Sequence, residues 1–259
     1  MELHYRQYSE AGPPLLILHG LFGSLGNWGW HSKQLAESFS VYGVDLRNHG
    51  DSPHSERLDY QVMAEDVRQL IERLGLDSCS IIGHSMGGKV AMQLALSYPD
   101  LLEKLVVVDI APVAYPEGAD NHMNVLAAMD AVRIDDVKSR TEAEVTLKEF
   151  IPEEAIRKFI LTNLISSGQG LFEWRINKDA IRKNYPALRA AVVSEKSFDK
   201  PVLFVKGGAS NYIQAEHEEA INALFPNASV KVVLGAGHWL HAEQPQALQK
   251  LLMNFLLAC

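Results

Sequence analysis

Residues 83–88 read Gly83-His84-Ser85-Met86-Gly87-Gly88, a match to the Gly-x-Ser-x-Gly pattern that sets a serine on a sharp strand-to-helix turn. The run before it, Ser78 to Ile82, is typical of a short buried strand, and the run after it, Lys89 to Leu96, is typical of a helix. The competing interpretations are a phosphate-binding loop and an ordinary strand-to-helix turn. The stretch has neither the Gly-Lys-Ser/Thr ending nor the Gly-x-Gly-x-x-Gly run of a phosphate-binding loop. The stretch therefore predicts an exposed Ser85 above a sheet, in a sparsely populated backbone conformation.

Strands and helices alternate on both sides of this turn. Residues 3–8 alternate apolar and polar side chains, as an antiparallel edge strand does. Apolar runs typical of buried strands follow at 15–18, 41–44, 104–108, 201–205 and 229–234. Helices are predicted over 60–74, 215–225 and 248–256. This alternation predicts an α/β fold with a mostly parallel central sheet and helices on both faces.

The alternation stops after Ala111-Pro112. From 112 to 199 no convincing strand is visible, and the apolar spacing predicts several helices, near 125–132, 142–150 and 156–164. Because this segment leaves the sheet at the strand ends that carry Ser85, we expect a helical cap at 112–199 over a core formed by 1–111 and 200–259. Phe150, Phe172 and Trp174 are candidates for lining a pocket beneath it, or for holding the cap together.

Composition excludes several classes of protein. The 259 residues are 47% hydrophobic and 22% charged, as in a soluble globular protein. No apolar run approaches the roughly 20 residues that span a bilayer, so no membrane partner is expected. With 24 Lys and Arg against 32 Asp and Glu, and no basic cluster, nucleic acid is not an expected partner either. The sequence does not predict an oligomeric state.

The first twelve residues and the two cysteines bear on the expected compartment and on redox chemistry. Residues 1–12 have neither a basic start nor an apolar centre, so no secretory signal is recognised and the cytoplasm is the expected compartment. Cys79, in a predicted buried strand, and Cys259, the last residue, show no metal or redox spacing. Both are predicted to be free thiols.

A serine hydroxyl needs a neighbouring base to act as a nucleophile. His238 is the best candidate, because it stands in the glycine-rich loop Gly235–Trp239 after the last strand. His241 is the main rival, and His49 is expected to hydrogen-bond its own polar turn. His238 and His241 could suggest a metal pair, but no third ligand accompanies them, so no metal is predicted.

The oxyanion of a tetrahedral intermediate needs backbone N–H donors. In Gly-x-Ser-x-Gly hydrolases one comes from the residue after the serine, here Met86. The other comes from a loop such as His19-Gly20-Leu21-Phe22-Gly23-Ser24, where Leu21 holds the matching position. Four residues are further candidates for binding substrate: Phe22, His84, Trp174 and Trp239. His84 adjoins the serine but is expected to point elsewhere along the turn.

The His-Gly loop, the Asn48-His49-Gly50 turn, the Gly-x-Ser-x-Gly stretch, the helical insertion and Gly237-His238 together resemble the α/β-hydrolase superfamily over nearly the whole chain. Segments 19–24, 45–50 and 109–113 are similar to the bacterial YbfF-type esterases. The resemblance implies an α/β-hydrolase fold and a cofactor-free serine esterase. Its expected partner is a small acyl ester with a short acyl group, or an acyl-coenzyme A thioester.

The resemblance also bears on the acid of a Ser-His-Asp triad. Most of the superfamily carries it after the seventh strand, but the matching loop here, 206–213, contains no carboxylate. The YbfF-type esterases are similar to this chain in placing the acid after the sixth strand, which selects Asp109. Ser210 is then expected to hydrogen-bond near His238. The alternative for Asp109 is to cap a helix or anchor the insertion.

Other activities share this scaffold. Carbon–carbon bond hydrolases and cofactor-free haloperoxidases have much of the same motif set, and pocket contacts decide between them. A receptor-like binder that keeps the triad but signals through ligand binding is a third alternative.

Overall fold

The computed structural model describes residues 1–118, 121–168 and 171–258. Nine strands are present in these ranges: β1 Tyr5–Gln7, β2 Pro14–Leu18, β3 Ser40–Val44, β4 Cys79–His84, β5 Leu102–Val108, β6 Leu164–Gly168, β7 Leu171–Trp174, β8 Val202–Gly207 and β9 Ala228–Val233. Seven of them form one sheet in the order β1-β3-β2-β4-β5-β8-β9. Only β1 runs antiparallel to its neighbour, so the predicted mostly parallel sheet with an antiparallel edge strand is confirmed.

Helices cover both faces of this sheet. Those in the described ranges are α1 Gly29–Leu35, α2 Tyr60–Arg73, α3 Met86–Ser97, α4 His122–Ala131, α5 Arg140–Lys148, α6 Glu154–Leu161, α7 Lys178–Arg189, α8 Glu218–Leu224, α9 Leu240–Glu243 and α10 Pro245–Leu257. None of them is long and apolar enough to cross a membrane. The predicted helices are confirmed, and the predictions missed α1, α7 and the short α9.

Two apolar clusters, one on each face of the sheet, hold it between the helices. Successive side chains of a strand point to opposite faces, so β2 sends Leu16 to one cluster and Ile17 to the other. The first cluster includes Met63 and Val67 of the apolar stripe on α2. The second includes Leu252 of α10. A central strand buried on both faces explains why β2 is an unbroken apolar run.

Residues 112–199, here called the insertion, contribute no strand to the seven-stranded sheet in their described part. The expectation of an insertion without strands is wrong, because β6 and β7 form a separate antiparallel pair. These strands have only five and four residues, and the polar pair Ser166 and Ser167 interrupts the apolar pattern that would have marked β6. Helix α7 was not predicted because Pro186, a residue type that usually breaks a helix, lies inside it.

Lys89 of α3 joins both ends of the insertion to the core. Its buried ammonium group donates hydrogen bonds to the carbonyls of Val113, at 2.8 Å, and Ala190, at 2.6 Å. The two connecting segments also bond each other, since Val192 N–H donates to Pro112 O at 3.0 Å. Desolvation lowers the pKa of Lys89 to about 7. The two ends of the insertion therefore lie side by side, and the hydrogen bonds of Lys89 hold both of them to α3.

Cys79 is buried and free, as predicted, while Cys259 lies outside the described residues. The strand that ends before Asp109 is the fifth along this chain, and the loop without a carboxylate follows β8, the sixth strand of the seven-stranded sheet in chain order. Each count is one lower than the strand number taken from the resemblance.

Candidate active site

Ser85 stands at the corner between β4 and α3 with φ 52° and ψ −118°, the strained conformation that its motif predicts. Glycine at 87 lets the start of α3 lie close to the end of β2. A Cβ there would lie 2.5 Å from the carbonyl oxygen of His19 and 2.6 Å from that of Leu18. Any side chain at position 87 would therefore prevent this approach of α3 to β2.

The structure brings Ser85, His238 and Asp109 together. His238 Nε2 lies 3.0 Å from Ser85 Oγ, and His238 Nδ1 lies 2.8 Å from Asp109 Oδ2. Asp109 is fully buried, and a buried carboxylate needs hydrogen-bond donors. Gly207 N–H supplies one to Oδ1 at 2.8 Å, and the Ser210 hydroxyl supplies another to Oδ2. Ser210 thus contacts the carboxylate itself, from the loop after β8.

Two aromatic rings enclose the imidazole of His238. Tyr212 stacks against it with ring centroids 4.0 Å apart, and the His84 ring lies 4.9 Å away. Burial holds the pKa of His84 well below its usual value, so its ring is neutral. His84 Nε2 lies 2.9 Å from the backbone oxygen of His238, to which a neutral imidazole donates its one N–H. His84 therefore points away from Ser85, as expected, and supports the loop that carries His238.

The rival histidines have other partners. His49 is fully buried, and its Nδ1 lies 2.9 Å from the carbonyl of Arg47, which confirms the prediction that it bonds its own turn. His241 stacks on Trp28 with centroids 4.9 Å apart and planes 10° apart. Its Nδ1 is buried without a hydrogen-bond partner in the described part of the chain. Neither ring takes the place of His238 beside Ser85.

Burial of these histidines predicts a pH-dependent stability. It lowers the pKa of His19 to about 4 and those of His49 and His241 to about 3, against about 6.5 when unfolded. Between these values the unfolded chain binds protons that the folded protein does not, so stability falls as pH falls below about 6.5. We expect the free energy of unfolding in urea to drop by up to about 1.4 kcal/mol per pH unit for each such histidine.

The matched control is His241→Phe, which keeps a ring on Trp28 and removes one titrating group. It should show a shallower loss of stability between pH 6.5 and 5 than the parent. A free energy of unfolding that is equal at pH 7 and pH 5 in the parent protein would contradict the prediction.

Two backbone N–H groups adjoin Ser85 without a protein acceptor in the described residues. Met86 is the first residue of α3, where an N–H has no intrahelical partner. Leu21 N–H lies in the loop after β2 and likewise donates to no described group. Leu21 lines two cavities with Ser85, and Met86 lines one of them. The helix N-terminus adds a partial positive charge beside the serine.

The two cavities meet at Ser85. The large cavity, about 230 Å³, is lined by Ser85, His238 and His84 together with a mostly apolar wall. That wall includes Phe22, Val125, Ile156, Phe159, Ile160 and Trp239. The small cavity, about 30 Å³, is lined by Ser85 and Met86 and closed by Tyr60, Ile110 and Leu188. Both therefore have walls from the core and from the insertion.

Phe22, His84 and Trp239 line the large cavity, where the sequence predicts substrate-binding residues. Trp174 is a correction, because it lines neither cavity. Its indole N–H donates to the Met129 carbonyl at 3.1 Å, which turns the ring into the insertion. The two cavities are also not lined by Phe150 or Phe172. Phe150 is 43% exposed, and Phe172 packs against the core cluster.

Tyr212 and Asn163 were missed. The motif at 83–88 says nothing about the residues that stack on His238, and only the place of Tyr212 two residues after Ser210 could have suggested it. Asn163 follows α6 and donates from Nδ2 to the carbonyl of Phe22 at 2.8 Å. No local pattern marks a contact between residues so far apart in sequence.

Three potential metal ligands come together elsewhere in the described ranges, at His4, Asp45 and Asp51. Both carboxylate oxygens of Asp45 already accept backbone hydrogen bonds, from Leu25 N–H at 2.7 Å and Asp51 N–H at 2.9 Å. This carboxylate therefore serves to shape the turn after β3.

Comparison with known proteins finds relatives that share this fold. A family model described as the alpha/beta hydrolase fold matches residues 13–140. The chain is 41% identical to the sn-1-specific diacylglycerol lipase ABHD11 of Mus musculus, over 94% of this chain and 81% of that protein. It is 36% identical to the esterase YbfF of Escherichia coli K12, over 96% and 95% of the two chains. The solved structure of a marine microorganism esterase is 40% identical, covers 98% of this chain and 99% of its own, and superposes with a TM-score of 0.96.

Proposed function

Given that this chain belongs to the α/β-hydrolase family, with esterases of the YbfF type among its relatives, we propose that it is a carboxylesterase that cleaves small acyl esters through Ser85, His238 and Asp109. The observation that supports the proposal is the hydrogen-bonded series from Ser85 Oγ through His238 to Asp109, at 3.0 and 2.8 Å, opening on an apolar cavity. The arrangement matches what nucleophilic acyl transfer requires.

In the proposed mechanism His238 Nε2 removes the proton of Ser85 as the serine oxygen attacks the ester carbonyl. Asp109 keeps the proton of the imidazole on Nδ1 and stabilises the imidazolium that forms. The N–H groups of Leu21 and Met86 stabilise the oxyanion, a contribution of roughly 2.7 to 4 kcal/mol per donor.

The tetrahedral intermediate collapses when the imidazolium of His238 protonates the leaving alcohol. The acyl group stays on Ser85 until His238 activates a water that hydrolyses the acyl-enzyme. Every step uses groups of the chain and water. A thioester would follow the same course with a thiol as leaving group.

The cavities suggest where the two parts of the ester lie. The leaving oxygen must come within hydrogen-bond reach of His238, which lines the large cavity and not the small one. We therefore assign the alcohol to the large cavity and the acyl group to the small cavity. A volume of about 30 Å³ accepts only a few heavy atoms. The substrates proposed are esters of short acids with larger, apolar alcohols.

The insertion is proposed to act as a cap. Its residues Val125, Ile156, Phe159 and Ile160 complete the wall of the large cavity opposite Ser85. An apolar wall that excludes water favours binding of the alcohol part and strengthens the electrostatic contacts of the reaction.

Hydrolysis of p-nitrophenyl esters from acetate to palmitate tests the function and the acyl assignment together. We expect kcat/KM to be highest for acetate to butyrate and to fall at least tenfold by octanoate, because an extra methylene that does not fit costs about 1 kcal/mol or more. A matched series of acetates with alcohols from ethyl to benzyl should show kcat/KM rising with alcohol size.

A maximum at decanoate or longer would overturn the assignment of the small cavity while leaving an esterase. Peroxide-dependent bromination without turnover of any ester would contradict the esterase proposal itself. Binding that raises the melting temperature without turnover of any substrate would favour a receptor-like protein.

A further inference from the structure

We propose that Asn163 is a positioning residue for the oxyanion hole, acting on the loop of Leu21 from the insertion. The inference rests on the proposed esterase function. Asn163 Nδ2 donates to the carbonyl oxygen of Phe22 at 2.8 Å, one residue beyond the N–H that would contact the oxyanion. Asn163 is 1% exposed and Phe22 is 2% exposed, so water does not replace this hydrogen bond.

The loop needs such support because Phe22 adopts φ 61°, a left-handed conformation that a phenylalanine rarely takes. Strained residues of this kind persist only where the surroundings hold them. Other hydrogen bonds hold the flanking residues: Gly23 N–H donates to Gly20 O at 3.0 Å, and Ser24 N–H donates to Asn27 Oδ1 at 2.7 Å. Asn163 holds the carbonyl of the strained residue itself.

Asn163 is itself well fixed. It follows α6, with its N–H bonded to Ile160 O at 2.9 Å, and its carbonyl accepts from Arg175 N–H at 2.9 Å. Its backbone thus joins α6 to the segment after β7. The donor on its side chain is therefore presented to Phe22 from a backbone held on both sides.

Loss of the Asn163 donor would leave a buried carbonyl without a partner, which is unfavourable enough to rotate the peptide after Phe22. The N–H of Leu21 belongs to the second peptide plane before that one. An oxyanion donor acts only when it is aimed at the developing charge, and a displacement of about 1 Å can cost on the order of a hundredfold in rate.

The same contact links catalysis to the substrate cavity. Ile156 and Ile160 of α6 line the large cavity two turns and one turn before Asn163. An alcohol group that packs on α6 thus contacts the helix that ends at the support for the oxyanion loop. The insertion would then contribute to the chemical step as well as to binding.

The test compares Asn163→Ala with Asn177→Ala. Asn177 also lies in the insertion and also donates from Nδ2 to the core, to Asn48 Oδ1 at 3.2 Å, away from Ser85. We expect Asn163→Ala to lower kcat by roughly ten- to a hundredfold with KM within about threefold. A trifluoromethyl ketone, which forms an oxyanion with Ser85, should lose affinity by the same factor as kcat/KM. Asn177→Ala should lower the melting temperature and leave kcat within twofold.

The concentration of active sites is titrated with a fluorophosphonate, so kcat can be measured even when part of the preparation is unfolded. Asn163→Ser serves as a second variant. A kcat within twofold of the parent for both Asn163 variants, with only the melting temperature lowered, would overturn the proposal. If the parent itself hydrolyses no ester, the proposed function fails instead, and the two failures are distinct.

Discussion

Replacing Ser85 with alanine is expected to lower kcat on p-nitrophenyl acetate by about a millionfold, the loss seen when a triad serine is removed. Among the described residues Ser85 carries the hydroxyl that His238 Nε2 contacts, at 3.0 Å, so we expect no other hydroxyl to take over. The fold should persist, because alanine carries the same Cβ as serine and so adds no strain at φ 52°. Stopped-flow and steady-state assays give the rate, and circular dichroism gives the melting temperature.

The double variant Ser85→Ala/His238→Ala provides the control. Residues that act as one unit give non-additive losses, so the double variant should be no slower than Ser85→Ala alone. A further large loss in the double variant would mean that His238 works with a different nucleophile. Retention of more than about one thousandth of the parental kcat by Ser85→Ala would refute the assignment of the nucleophile.

Most of the fold could be predicted because its signals are local. β2 and β4 are apolar runs whose burial on both faces depends on little beyond their own composition. The stripe of α2 and the glycines after Ser85 are likewise local patterns. Where the pairing of two short strands decides the structure, as for β6 and β7, the sequence contains too little information.

The residues of the candidate site likewise differ in whether a local sequence signal marks them. Ser85 and His238 could be predicted from the motif and from the loop after the last strand. Trp174 was misplaced because its indole N–H finds an acceptor inside the insertion, a contact that no spacing predicts. Asn163 contacts Phe22 across 141 positions of the sequence, and such a pair is visible only once the chain is folded.

The prediction of Asp109 depended on a local signal and also on a family resemblance. Its position after an apolar strand is local, but its selection over the usual loop depended on a family resemblance. The structure adds three polar contacts to its side chain, from His238, Gly207 and Ser210. A helix-capping role would have placed these oxygens on the first N–H groups of a helix instead.

Replacing Asp109 with asparagine is expected to lower kcat by about ten-thousandfold, because an amide can present its NH₂ group to Nδ1 and favour the wrong tautomer of His238. Ser210→Ala removes only one hydrogen bond to the carboxylate, worth about 1.5 kcal/mol, and should cost far less, roughly tenfold.

The double variant Asp109→Asn/Ser210→Asp tests directly whether a carboxylate at position 210 can orient His238. Ser210 Oγ contacts Asp109 Oδ2, and an aspartate side chain extends one bond farther than serine, so a carboxylate at 210 should reach the imidazole and restore part of kcat. An Asp109→Asn protein that keeps more than a tenth of the parental kcat would show that the imidazole is oriented by another group.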